Sequence, residues 1–591
     1  MLTRRVVRAQ DPLMPPDGHE PAQASRPSAT RWTMTDTGVR LLVLAVAVMI
    51  WLPRFQGPVD LRWDGGVYYI LGTSLAQGTG YRLLNEPGEI EAVQYPPLLP
   101  ALIAASQVTL GTSDPTTVGQ WLRYAAFLVF LVYMFVVISF LRHYLSPPST
   151  LIAALMCLFS FQVYFLADVL FPEILFSLAT LLFLLGGRRQ GSRLNSVWTY
   201  LGAVSSYALR TVGVVAFAVW VLDSLIRRRF RQAVVRLVLV LLAVAAWQFY
   251  VASVESSDGY NRPSYAYQRA PYMFYNVSYA RNVALRDPLA PEKGRLSFMR
   301  LLRRVAGNAL ELPVYVGETL SISRGYLIMW SDAVVGDRRG IASLVSWSAF
   351  LSLYTFGAVF VLGGLGLQLL RREWMIPLYA FIYMAALCMT PFRAQFPRYL
   401  MPIAPLLALS LVVSVTAIRD SCRHSPGSSW ARLGRRGVGI LIALALLAEL
   451  VCFAAVYASE HGRVSYVDRN GQLVAYRLFY YTNSYRGFDQ SIDFVRRRAA
   501  RTDVIAAGMP HWVYLRTGLK SVMPPFEHDA AKTQDLLDSV PVTYMIIGRD
   551  VVDSQRYTLP VVWQFSAEWK EIYVTPAGDW TVYQRVNRVS D

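Results

Sequence analysis

The chain has 591 residues, of which 54% are hydrophobic and only 16% charged, a balance that excludes an ordinary soluble globular protein. Its formal net charge is +18, yet only four of the 57 basic residues are lysines. The arginines cluster between apolar runs, which fits membrane orientation and not nucleic-acid binding. Cys157, Cys388, Cys422 and Cys452 form no C-x-x-C pair, and none is left for a disulfide outside the membrane.

In chain order, residues 1–38 are polar and proline-rich and read as a disordered cytoplasmic tail. The first apolar run has no small-residue cleavage site after it, so it reads as an anchor. Spans are expected over 39–55, 124–141, 151–166, 172–187, 196–209, 211–226, 233–251, 343–370, 375–390, 399–418 and 438–457, eleven in all. An eleven-span count puts the arginine-rich loops on one side. These carry Arg142; Arg188, Arg189 and Arg193; Arg227, Arg228, Arg229 and Arg231; Arg371 and Arg372; and Arg419, Arg423, Arg432, Arg435 and Arg436, with Arg4, Arg5 and Arg8 in the tail. The positive-inside rule makes that side cytoplasmic. The long segments, about 56–123 and 252–342, and the tail from 458 to 591 then fall outside. Residues 96–110 are apolar but too short to span comfortably, and predict a juxtamembrane or re-entrant helix.

The last 134 residues read as a small α/β domain. Phe488, Ile492 and Val495 share a helical face; 504–507 and 542–547 have the pattern of buried strands; 569–574 and 581–586 form a closing hairpin around a turn at 576–579. The expected fold is therefore mainly α: a polytopic helix bundle over 39–457, carrying a C-terminal extracytoplasmic α/β domain.

No G-x-x-x-x-G-K-[ST], H-E-x-x-H or D-x-D occurs, so nucleotide-driven transport and metal-assisted hydrolysis lack a sequence handle. The informative segment lies just after the first span: Asp60-Leu-Arg62-Trp63-Asp64-Gly-Gly-Val-Tyr68, followed by Gln94-Tyr95-Pro96-Pro97. Asp64 has two readings. It caps a short helix beginning at Gly65, or it presents a carboxylate at the membrane surface with Tyr68 one turn on.

Asp64-x-x-x-Tyr68 and Tyr95-Pro96-Pro97-Leu98 resemble the first-loop signature of the GT-C glycosyltransferases, in the branch of the protein O-mannosyltransferases and lipid A aminoarabinose transferases. Asp168-Val-Leu-Phe-Pro-Glu173 is similar to that family's acidic position in a later loop, and Arg398-Tyr399-Leu-Met-Pro402-Ile-Ala-Pro405 to its R-Y-x-x-P-x-x-P motif. The aminoarabinose transferases carry Lys before Pro-Pro, where this chain has Tyr95.

The resemblance implies a multi-pass protein of the bacterial inner membrane. Its donor is a polyprenyl-phosphate-linked sugar, its acceptor a hydroxyl of an envelope glycan, lipid or protein, and the transfer is inverting, with no cofactor or metal indicated. Asp64 is then the general base, with Asp60 in reserve. Tyr68, Tyr95, Asp168 and Glu173 are donor- or acceptor-binding candidates. Arg398, Arg210, Arg393, Arg62 and Arg82 are candidates for the phosphate, because guanidinium forks suit it. Each has a plainer reading: helix-dipole complementation for Glu173, headgroup snorkelling for the arginines. Tyrosines of the second long loop, among them Tyr260, Tyr265, Tyr267, Tyr272, Tyr275 and Tyr279, either stack on a sugar or form an interfacial belt. A transporter or flippase of lipid-linked glycan, a polymerase or ligase, and a catalytically inactive binding protein are the competing classes.

Overall fold

A computed structural model describes residues 35–188, 193–321, 324–325, 341–421, 429–459 and 461–586. The expected tail up to residue 34, Arg189, Cys422 and Arg423 lie outside the described residues.

The longer helices of the bundle are α1 (Asp36–Trp51), α2 (Asp64–Ala76), α3 (Leu98–Leu110), α4 (Pro115–Arg142), α5 (Pro147–Phe159), α6 (Phe161–Asp168), α7 (Glu173–Arg188), α8 (Arg193–Leu209), α9 (Val214–Ile226), α10 (Phe230–Glu255), α11 (Phe298–Thr319), α12 (Ile341–Leu370) and α13 (Met375–Leu387). The short α14 (Phe396–Leu400) leads into α15 (Ala404–Ser421), and α16 (Ser429–Ser459) closes the bundle. Five helical segments among the described residues are long and apolar enough to cross a membrane: Asp36–Arg54, Pro115–Arg142, Phe230–Glu255, Leu351–Leu370 and Arg393–Ser421. The chain is a multi-pass membrane protein.

Two expected spans differ in shape from straight helices. The run 151–166 divides into α5 and α6, bent by 53°. Ser160 between them leaves helical geometry (φ −57°, ψ 124°), and its Oγ donates to the Thr319 carbonyl at 3.0 Å. The run at 399–418 opens with α14 and one 3-10 turn (Met401–Ile403) before α15, because Pro402 and Pro405 remove backbone donors where a regular ladder needs them.

The C-terminal domain begins with an antiparallel hairpin, β1 (His461–Val467) with β2 (Leu473–Phe479). A five-stranded sheet follows: β3 (Val504–Ala507), β4 (Ser521–Val522), β5 (Val542–Gly548), β6 (Trp569–Val574) and β7 (Trp580–Arg585), in the order β4-β3-β5-β7-β6. Pairing is parallel for β3 with β4 and with β5, and antiparallel for β5–β7–β6. Helix α17 (Asn483–Arg496) buries Phe488, Ile492 and Val495. Helix α18 (Pro510–Thr517) packs on the same face of the sheet, and α19 (Ala530–Asp538) lies on the opposite face with the short helix Leu559–Gln564.

This domain is not a pendant. The Asn85 side-chain amide donates to the Ser521 carbonyl at 3.0 Å, and Ser521 N–H donates back to the Asn85 carbonyl at 2.8 Å, so the first long loop lies along β4. Lys520 pairs with Glu89 at 2.7 Å. From the second long loop, Tyr265, Tyr267 and Met273 share a buried apolar cluster with Val504, Val522 and Met545. Both loops and the domain form one body at one end of the bundle.

Candidate active site

The segment 60–64 places two aspartates four residues apart in different worlds. Asp60 is 2% exposed and holds Arg62 through three bonds: it accepts from Arg62 N and Nε at 3.0 Å each and from Nη2 at 2.7 Å. The Arg62 guanidinium lies over the rings of Tyr485 (4.2 Å), Tyr481 (5.0 Å) and Trp63 (5.0 Å). Trp63 then takes a positive φ of 52°, costly for a bulky residue. That bend starts α2 and turns the chain so that Asp64, its first residue, faces away from Asp60.

Asp64 does not cap the helix. The N-cap position is Trp63, with no side-chain cap. The Asp64 carboxylate instead accepts from Arg398 Nη2 at 2.8 Å. Arg398 Nε donates to Glu173 Oε1 at 2.6 Å, and Arg210 Nη1 donates to the same oxygen at 2.5 Å. Glu173 is fully buried, while Arg398 and Arg210 keep 14% and 17% of their side chains exposed. A buried carboxylate thus aligns two guanidiniums beside one another, which like charges do not do without a counter-ion between them. Arg398 also lies 3.9 Å from the Phe171 ring, and Arg210 5.2 Å from that of Tyr399.

These groups face a cavity of about 930 Å³. Asp64, Tyr68, Tyr95, Arg210 and Arg398 line it, joined by Gln94, Gln248, Tyr275, Tyr279 and Tyr399. Tyr68 and Tyr95 pack at 4.7 Å between centroids, and Tyr95 and Tyr275 at 6.4 Å. Burial pushes the hydroxyls of Tyr68, Tyr95 and Tyr275 above the ordinary tyrosine range, so they stay neutral. The cavity lining also includes apolar side chains: Trp247 and Val251 of α10, Phe298 and Leu301 of α11, and Ala386 and Leu387 of α13.

Among the candidates read from sequence, Asp64, Tyr68, Tyr95, Arg210 and Arg398 come together here, with Glu173 directly behind the two arginines. The rest sit elsewhere for identifiable reasons. Asp60 and Arg62 neutralise one another under the C-terminal domain. Asp168, 1% exposed, takes Arg123, lies 3.8 Å from Arg54, and accepts from Phe479 N at 3.2 Å, tying α6 to β2. Arg82 donates to the carbonyls of Thr79 and Glu89, at 3.0 Å each, within its own loop. Arg393 donates to Asn308 at 3.0 Å and pairs with Glu311. Gly65 and Gly66 allow close backbone approach, but to protein and not ligand: a Cβ on Gly66 would lie 2.9 Å from the Leu61 carbonyl and 3.0 Å from His511 Cβ.

His511, Gln94, Gln248 and Tyr399 had no assigned role in the sequence. Tyr399 stood inside the Arg398 motif. Tyr275 and Tyr279 were two of many loop tyrosines, of which Tyr265 and Tyr267 prove to be core. His511 carries no local signal at all.

The described fold, a helical membrane bundle with a sheet-containing C-terminal domain, is of the GT-C type expected from the sequence. Comparisons with solved structures agree. ArnT from Cupriavidus metallidurans bound to undecaprenyl phosphate matches with a TM-score of 0.51 at 14% identity, over 93% of this chain and 99% of that one. The Archaeoglobus fulgidus oligosaccharyltransferase in complex with Zn and sulfate matches at 0.52 and 11% identity, over 93% and 73%. The same archaeon's AglB with an inhibitory peptide and a dolichol-phosphate matches at 0.51 and 12%, over 93% and 74%. At these identities the likeness is one of fold. No family model and no curated protein matches the sequence.

Proposed function

We propose that the chain is a glycosyltransferase that moves a sugar from a polyprenyl-phosphate carrier to an acceptor hydroxyl at the outer face of the bacterial inner membrane. The observation that carries this reading is the chain of contacts Asp64–Arg398–Glu173–Arg210 at the wall of a cavity that is also lined by apolar side chains of the bundle helices. The orientation rests on the arginine-rich loops: N-terminus inside, long loops and C-terminal domain outside, eleven crossings. No nucleotide sugar is at hand on that side, so the sugar arrives on a lipid phosphate.

The geometry divides the work. The lipid tail lies against the apolar lining from α10, α11 and α13. Arg398 and Arg210 take the phosphate, whose oxygens compete for the guanidinium N–H groups that Asp64 and Glu173 now hold. Phosphate binding draws Arg398 Nη2 from Asp64 and frees that carboxylate. The acceptor oxygen attacks the anomeric carbon as Asp64 takes its proton; the C–O bond to phosphate breaks, and polyprenyl phosphate departs with the electron pair, steadied by the two arginines. Attack from the face opposite the leaving group inverts the anomeric configuration. Glu173 touches neither substrate; it positions the arginines.

The test is direct. Full-length protein in nanodiscs is given undecaprenyl-phosphate sugars of several kinds with extracted envelope fractions, and free undecaprenyl phosphate is followed by mass spectrometry. Acceptor-dependent release with at least one donor supports the reading. No release with any donor, combined with no binding of undecaprenyl phosphate, contradicts it.

A further inference from the structure

Behind one wall of the cavity stands a residue of the C-terminal domain. Tyr275 stands next to Tyr95 on one side and against His511 of α18 on the other, at 4.6 Å between ring centroids and 83° between planes. His511 belongs to the C-terminal domain, some 450 positions along the chain from Asp64. It is 2% exposed, and its Nε2 has no hydrogen-bond partner among the described residues. Burial pushes its pKa down to about 3, so the ring is neutral and adds no charge beside the arginine pair. A buried imidazole with an unpaired nitrogen carries a desolvation cost that a phenyl ring would not. Gly66 eases its approach, since a Cβ there would lie only 3.0 Å from the His511 Cβ.

The wall that His511 backs is aromatic: Tyr68, Tyr95 and Tyr275 in sequence. Phenol rings offer flat apolar faces to the C–H face of a sugar and hydroxyls at their edges. The phosphate-binding pair, Arg398 and Arg210, lies on the same cavity, so one ligand can span both. We propose that His511 is a positioning residue that holds Tyr275 in a sugar-facing wall, so that the C-terminal domain completes the donor-sugar subsite. The proposal rests on the glycosyl-transfer reading and deepens it. The hold is double. His511 braces Tyr275 directly, and Tyr267 of the same loop donates to the Met523 carbonyl at 3.2 Å, fixing the loop to the domain independently. Removing the His511 ring therefore loosens Tyr275 without undocking the loop.

Two probes separate sugar from lipid phosphate: undecaprenyl phosphate, and the undecaprenyl-phosphate sugar that wild type binds most tightly. Affinities are measured for full-length wild type, His511→Ala and His511→Phe, with hydrogen exchange of the peptide carrying Tyr275. His511→Ala should weaken the sugar-bearing lipid about tenfold, leave undecaprenyl phosphate within about twofold, and speed exchange around Tyr275. His511→Phe should restore both, because it keeps a ring edge against Tyr275. Equal loss of both lipids together with a lowered melting temperature would mean a merely structural role and would overturn the proposal. So would unchanged affinities and exchange. Wild type that binds neither lipid contradicts the transfer reading itself, and this inference with it; wild type that binds both, beside a His511→Ala variant that loses neither, overturns the positioning role alone.

Discussion

Two charge clusters, each built on one aspartate of the 60–64 segment and one acid of 168–173, behave oppositely. Around Asp60 and Asp168, the arginines Arg62, Arg123 and Arg54 are buried to 2% or less, and each carboxylate is spent on a neighbour or on the C-terminal domain. Around Asp64 and Glu173, Arg398 and Arg210 stay partly open to a cavity of about 930 Å³. The residue types are the same. What differs is whether a ligand can reach the cation, and that depends on the turn at Trp63 and on which helix end the arginine occupies. Acid–base pairs near a membrane surface are thus no guide to a site until their access is known.

The largest expected effect breaks the closed cluster. Asp168→Ala leaves Arg123 buried without its carboxylate and removes the acceptor of Phe479 N–H. This should cost about 3–5 kcal/mol, seen as a collapse of the melting transition or loss of monodisperse protein in detergent. An unchanged transition would mean the cluster is not structural. In the open cluster, Arg398→Ala should cost affinity and not fold. Losing a charge-assisted contact to phosphate is worth about 1.5–3 kcal/mol, roughly 10- to 150-fold in the Kd of undecaprenyl phosphate. Arg398→Lys should recover only part, because a point charge cannot serve Glu173 and phosphate as a fork does.

A pH series sharpens the boundary between the two regions. His511 titrates at about 3 in the folded chain and near 6.5 when unfolded. Between those values the unfolded chain binds a proton that the folded chain does not. The stability this group contributes is full above about pH 6.5 and falls on acidification by about 1.4 kcal/mol per unit. Melting of wild type should therefore drop faster below pH 6.5 than melting of His511→Asn; parallel curves would contradict a buried neutral imidazole. The smallest effect is Arg82→Ala. Its partner Glu91 lies 3.8 Å away, both about 38% exposed, so the change should stay under about 1 kcal/mol and leave turnover as it was.

Much of the architecture was legible because its signals are local. Apolar runs gave the helices, and β3, β5, β6 and β7 fall where buried or alternating stretches pointed. The β1–β2 hairpin went unread although its signal exists: Val464 and Tyr466 alternate with polar residues, and Asn470-Gly471, with Gly471 at φ +81°, makes the turn. Its arginines masked the pattern. The bend at Ser160 depends on a contact with Thr319, which no window of sequence contains. At the site, motif order found Asp64, Tyr68, Tyr95 and Arg398. It put Asp64 ahead of Asp60 and Arg398 ahead of Arg393 by motif alone, while the partners and access that set them apart lie in the fold. His511 was beyond reach, since its role comes only from the docking of a distant domain.

The central claim is that Asp64 is chemical where Asp60 is structural. The most direct measurement is acceptor-dependent turnover of Asp64→Asn, with its melting temperature taken on the same preparation. Asparagine keeps the shape and removes the base. Turnover should fall by about 100- to 10,000-fold while the melting temperature stays within a few degrees of wild type. More than half of wild-type turnover in a folded Asp64→Asn variant would contradict the account and leave the carboxylate as no more than a counter-ion for Arg398.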